Sequence, residues 1–198
     1  IYKGDSSSSP KSLCACNEKL YFSALRPDGD SSLLVFDPAT NETRMLPSQY
    51  SGGRFTVSGM TELDGEMTFS ANDPADYKGK LWAMDASEAM RLVHDFPDSI
   101  GSPFGGGPKD FAVLHDTLFF RAMTDVCSDK VFFGCTGHSN DNELWAYDGV
   151  NPPFLAVNID PDGSSYPLAL GTFNGTLFIQ TGDDRSKGTI VAYNGTSV

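Results

Sequence analysis

One two-strand phrase recurs four times along this chain of 198 residues. LYFSA (20–24), MTFSA (67–71), LFFRA (118–122) and LFIQT (177–181) are apolar strands that end in a small residue. A second strand follows each and ends in an acid or amide, in LLVFD (33–37), KLWAMD (80–85), ELWAYDG (143–149) and TIVAYNG (189–195). Recurrence at steps of about 50 residues, with about four strands per step, is the signature of propeller blades. The expectation is an all-β, propeller-like domain of four repeats over residues 13–198, each of about four antiparallel strands. A Ser-rich arm or linker, residues 1–12, precedes it.

Alternation and turn residues place the strands. Repeat one predicts them near 12–16, 19–24, 32–37 and 42–46, and repeat two near 56–63, 66–71, 80–85 and 90–95. Repeat three predicts 110–114, 117–122, 143–148 and 153–158, and repeat four 166–173, 176–181 and 188–194. Asp64-Gly65, His115-Asp116 and Asn174-Gly175 read as two-residue hairpin turns. The links between repeats are rich in Gly, Pro and Ser, at 47–55, 97–108 and 160–167.

The fourth repeat is one strand short. Propellers commonly close by pairing strands from both chain ends in one blade, which removes an exposed edge. The short apolar start Ile1-Tyr2-Lys3 is the candidate for that strand, with the Ser-rich segment as its tether. Pairing in cis closes a ring. Pairing in trans hands a strand to the next copy and builds a filament. The third reading is a plain linker to a neighbouring domain. A larger ring, completed by a second chain or a longer parent, is a further architecture compatible with the repeats.

The net charge of −12 repels a phosphate backbone and anionic membrane surfaces, so nucleic acid is excluded as a partner. No apolar run approaches the ~18 residues of a membrane-spanning helix. The chain starts at Ile1 with no signal-peptide pattern, which reads as a mature or trimmed segment.

Cys127 and Cys135 bracket SDKVFFG in an insertion of the third repeat, and their spacing suits a disulfide closing a hairpin. Cys14 and Cys16 point to one face of a strand, too far apart along it for an easy mutual bond. They form a strained local loop, bond elsewhere or stay free. N-glycosylation sequons stand at Asn41, Asn174 and Asn194, all in turns. For Asn174 and Asn194 the Asn-Gly pair also reads as a hairpin signal. Sequons with disulfides point to a secreted or cell-surface protein.

Candidate chemistry is sparse. No HExxH, G-x-S-x-G, phosphate loop or Cys-x-x-Cys pattern occurs. His94, His115 and His138 fall at a strand end, in a turn and in the polar insertion. This argues against an enzyme. Asp28-Gly29-Asp30, Asp73 with Asp76, Asp160 with Asp162, and Asp183-Asp184 are oxygen-rich. Ca²⁺ favours such loops, and Asp160 and Asp162 are the first candidates. Ordinary turns use the same residues. Trp82 and Trp145 sit at equivalent repeat positions. They either stack on sugars or pack between blades, and packing is the expectation. Asp85 and Asp148 are expected to accept backbone hydrogen bonds at tight turns.

ELWAYDG, its weaker copy KLWAMD, FNGTLF (173–178) and DPDGSSYP (160–167) resemble the ELWxxDGT repeat family over residues 13–198. Repeats one and four lack the Trp, and only Asp148-Gly149 keeps the acid-glycine pair. The resemblance implies a propeller-like module of large extracellular or surface proteins, with no shared catalytic residues. The functional expectation is a secreted, N-glycosylated structural protein. It would self-assemble into a fibre or surface layer by N-terminal strand pairing. The alternative is a carbohydrate- or protein-binding module of a larger cell-surface protein.

Overall fold

Both faces of the central strands carry buried apolar residues: Phe22 and Ala24 alternate with Tyr21, and Leu118 and Phe120 with Phe119. A sheet of such strands must be covered on both sides, so the repeats stack. The computed structural model describes residues 7–26, 31–47, 57–72, 79–96, 107–124, 142–161, 164–182 and 188–196.

The first blade is β1 (Lys11–Cys16), β2 (Lys19–Leu25), β3 (Ser31–Asp37) and β4 (Glu42–Met45). The second is β5 (Val57–Leu63), β6 (Glu66–Asn72), β7 (Gly79–Met84) and β8 (Met90–Asp95). The third is β9 (Lys109–Leu114), β10 (Thr117–Met123), β11 (Asn142–Tyr147) and β12 (Phe154–Val157). The fourth has three strands, β13 (Leu168–Phe173), β14 (Thr176–Thr181) and β15 (Thr189–Tyr193). Each sheet is an antiparallel meander in chain order. Every expected strand forms, with ends within two residues of the expected ones. β13 starts later than expected, at Leu168, just after Pro167, which has no N–H to give a ladder.

Register aligns the repeats. Leu20 faces Phe36, Met67 faces Met84, Leu118 faces Tyr147 and Leu177 faces Tyr193. The first strands β1, β5, β9 and β13 pack side by side in succession, and the exposed β4, β8 and β12 lie outermost. Among the described residues, no contact of like extent joins β13 back to β1. Leu25 donates its N–H to Ser8 O at 2.8 Å, so the arm already lies on blade one from Ser8 onward.

Three interblade cores repeat one pattern. Cys16, Leu33 and Val35 of blade one meet Met67, Phe69 and Trp82 of blade two. Leu63 and Leu81 meet Leu118 and Phe120. Leu114 and Leu144 meet Leu177 and Ile179. Each blade thus has a preceding face and a following face.

The two ends of the sheets differ. At one end the first two strands are always joined by two residues with positive φ: Asn17-Glu18, Asp64-Gly65, His115-Asp116 and Asn174-Gly175. Turns of that hand match the strand twist. At the same end the four repeat markers accept backbone hydrogen bonds. Asp37 Oδ1 takes Ala39 N–H at 2.9 Å, Asp85 Oδ1 takes Ser87 N–H at 2.8 Å, Asp148 Oδ1 takes Asn151 N–H at 2.7 Å and Asn194 Oδ1 takes Thr196 N–H at 3.0 Å. At the other end the connections 26–30, 73–78, 124–141 and 182–188 differ in length.

Two features add to what the sequence predicts. Ser12, Gly59 and Asp110 hold equivalent left-handed positions, each at a bulge in the first strand of its blade. The backbones of Gly79 and Gly107 also lie so close that a methyl on either would collide with the other's Cα.

Candidate assembly surface

Blade four keeps the apolar residues of the repeat but lacks what covers them elsewhere. Ile190 aligns with Leu33, Leu81 and Leu144 by register. Those three are 3%, 0% and 1% exposed, whereas Ile190 is 66% exposed. Phe173 ends its strand as Cys16, Leu63 and Leu114 do; these are at most 5% exposed, and Phe173 is 68% exposed. Ala192 and half-buried Phe178 lie on the same face. β15 is the last strand of its sheet, with no outer partner among the described residues.

The opposite end of the stack mixes buried and exposed apolar residues, since Met45, opposite Leu34 in register, is 52% exposed. On the preceding face of blade one, Phe22, Ala24 and Leu34 form a buried cluster backed by Leu20 and Phe36.

Other residues singled out from the sequence fall as follows. Asn41, Asn174 and Asn194 are all exposed, and all lie in turns at one end of the sheets. Asn194 Oδ1 also accepts from Thr196 Oγ1 at 2.9 Å, within its own sequon. Cys14 and Cys16 are both buried on one face of β1, and both are free thiols. Burial pushes Cys14 up to about 11 and raises Cys16. Cys127, Cys135, Asp162, His138 and Ile1-Tyr2-Lys3 lie outside the described residues, as do Asp28-Gly29-Asp30, Asp73, Asp76 and Asp183-Asp184. Asp160 is exposed. Among the described residues no group of three or more His, Cys, Asp or Glu is placed to hold a metal ion.

Trp82 and Trp145 pack between blades, in the first and second interblade cores. His94 packs edge-on to Phe96 with centroids 4.6 Å apart, and burial lowers its pKa. The His115 ring lies beside Gly175 and Gly195, bridging blades three and four.

Glu143 was read only as a motif letter. It is fully buried and accepts from Ile159 N at 2.7 Å, Ser165 N at 2.9 Å and Ser165 Oγ at 2.8 Å. It therefore pins both sides of the connection that carries Asp160. A carboxylate beside the buried run of β11 was the signal, since a buried charge demands such partners.

No protein-family profile matches the chain, and no curated protein matches it significantly. Solved structures do. TolB from Acinetobacter baumannii is similar over 96% of this chain and 42% of that one, at 11% identity and a TM-score of 0.59. A puromycin-hydrolyzing peptidase from Mycobacterium tuberculosis is similar over 97% of this chain and 31% of that one, at 10% identity and a TM-score of 0.59. A puromycin hydrolase is similar over 94% and 31%, at 13% identity and a TM-score of 0.57. This chain spans less than half the length of each. At these identities the likeness establishes the fold, an all-β, propeller-like stack of antiparallel blades.

Proposed function

We propose that the chain is a secreted structural module, without catalytic function, that works by assembling through strand addition to blade four. The observation that supports this is that β15 has no outer partner among the described residues, where the other three sheets carry a fourth strand. An edge strand offers a row of unpaired N–H and C=O groups to another extended segment. Ile1-Tyr2-Lys3 is the strand assigned to it, given in trans by another copy. Partners are thus copies of the chain itself. N-linked glycans at Asn41, Asn174 and Asn194 complete the proposal, supported by the exposure of all three. The hydrolase activity in the names of two similar structures belongs to those proteins. Here the histidines described are used in packing, and fold alone does not carry chemistry.

The test is particle imaging with mass determination on the intact chain and on one lacking residues 1–6. The cut stops short of Ser8, which already joins the β1–β2 ladder. Long assemblies that vanish on truncation are expected. Identical small species from both versions would remove the strand-addition reading. Glycosylation is checked separately, by the mass lost on enzymatic deglycosylation of chain made in a eukaryotic secretory host.

A further inference from the structure

We infer that the core between blades one and two is a binding site for one soft monovalent cation, Cu(I), held by the Cys14 and Cys16 sulfurs against a wall of methionine thioethers. The site lies within a single copy and does not depend on assembly.

Sulfur is concentrated there. Two of the chain's four cysteines and four of its six methionines, Met60, Met67, Met84 and Met90, belong to this one core. The other two interblade cores hold none. The repeats supply the comparison. Cys16 ends its strand where Leu63 and Leu114 end theirs. Met67 faces Met84 where the equivalent pairs are Leu118 with Tyr147 and Leu177 with Tyr193. Packing elsewhere fills these three positions without sulfur, and all three change to sulfur at the same boundary. Methionine as a gap-filler would not bring the cysteine with it.

Register sets the donors in order. Met67 pairs with Met84 and Met84 with Met90, so three methionines form one rung across blade two. Cys14 and Cys16 meet that blade from one face of β1, 7% and 5% exposed. Two residues apart on a strand, their Cα atoms stand about 6.6 Å apart, at the limit of disulfide geometry. A direct bond demands sulfurs about 2.05 Å apart, whereas an ion between two thiolates allows up to about 4.6 Å. Asn17 Nδ2 donates to Cys16 Sγ at 3.3 Å and to Gly65 O at 2.9 Å, tying β1 to the turn that leads into Met67. Exposed Glu62 lies opposite Met67 in register. Burial raises both thiols, with Cys16 adding to Cys14, and the Glu62 charge raises both further. That carboxylate attracts a cation to the same place.

Both thiols are protonated at neutral pH, so no buried charge is left unpaired. On binding, two S–H bonds break, two S–Cu bonds form and two protons leave to solvent. Soft thiolate and thioether donors select Cu(I). Zn²⁺ and Ca²⁺ are disfavoured, because among the described residues no third Cys, His or carboxylate is placed to join the pair.

Anaerobic titration of the intact chain with Cu(I), against a chromophoric Cu(I) chelator, tests this. The chain should retain Cu(I), and Zn²⁺ should not displace it. X-ray absorption should show a first shell of sulfur alone, at about the 2.3 Å of a metal–thiolate bond. Cys14→Ala and Cys16→Ala should each weaken binding about 100-fold, and Met67→Leu, which nearly keeps the volume, about 10-fold. Cys127→Ser with Cys135→Ser is the control and should leave the affinity unchanged. A chain that yields all its Cu(I) to the chelator would overturn the inference. So would nitrogen or oxygen in the shell, or binding that survives loss of Cys14 and Cys16 but vanishes with Cys127 and Cys135. A Met67→Leu chain that binds as tightly as the original would overturn the thioether wall. Should an alanine variant fail to fold, the absorption spectrum of the unaltered chain and Met67→Leu still decide.

Discussion

Arg44 on β4 sets its Nη2 2.5 and 2.6 Å from the two carboxylate oxygens of Glu88, across the boundary between blades one and two. Lys19 adds a third donor at 3.2 Å. Burial works against the Glu88 charge, but the Arg44 and Lys19 hydrogen bonds outweigh it and hold the carboxyl below its ordinary value. A carboxyl depressed by folding adds stability above its unfolded pKa and loses it as pH falls through the folded one. Glu88→Gln should therefore lower stability by about 1 kcal/mol near neutral pH, modest because Arg44 is half in solvent. Melts of both proteins should converge below the carboxylate range, and added salt should narrow the gap.

Gly79 and Gly107 admit no side chain for a different reason, backbone against backbone. Gly79→Ala or Gly107→Ala should destabilise by about 2–3 kcal/mol. Gly65→Ala is the control. Its added methyl meets nothing within 4 Å, and only its left-handed φ opposes it. About 1 kcal/mol is expected there. Denaturant unfolding would rank the three.

Asp148 is needed as an acceptor rather than as a charge. Its carboxylate takes the Asn151 side chain at 2.7 Å and the Val150 and Asn151 N–H groups at 2.9 and 2.7 Å. Those bonds hold its pKa low. Asn194 does the same job in blade four with an amide. Asp148→Asn should thus be tolerated within about 0.5 kcal/mol, and Asp148→Ala should cost about 1 kcal/mol. Thermal melts of the pair decide it.

Cys14 and Cys16 should resist alkylation at pH 8 in the folded chain, because the thiolate is the reactive form and burial disfavours it. Denaturant should expose both. Peptide-level mass spectrometry of the segment holding them would check this, and full labelling of the native protein would contradict the buried placement.

Much of the fold was legible because strand signals here are strong and local. Alternation, small strand-end residues and turn pairs located every strand, and Asp85 and Asp148 declared their turn role by position alone. Bulges were not legible. Gly59 advertises a left-handed backbone, but Ser12 and Asp110 hold the same position with no glycine to announce it. The Arg44–Glu88 link joins residues brought together only by blade stacking. The open face was hidden by its own resemblance to its neighbours. Ile190 reads like Leu144, yet one is 66% and the other 1% exposed, a difference set by what packs on each and not by residue type.

The difference between the two ends of the sheets has a consequence for engineering and for descent. The two-residue turns between first and second strands form a row of fixed length, where one added residue would flip side chains to the wrong face. The other end is a set of sockets. The connection between Met123 and Asn142 is far longer than the one between Leu25 and Ser31, yet both leave identical strand pairings behind them. A foreign peptide spliced between Thr124 and Asn142 should be displayed without disturbing the stack. New specificity could be written there while the blades remain a constant grammar beneath it.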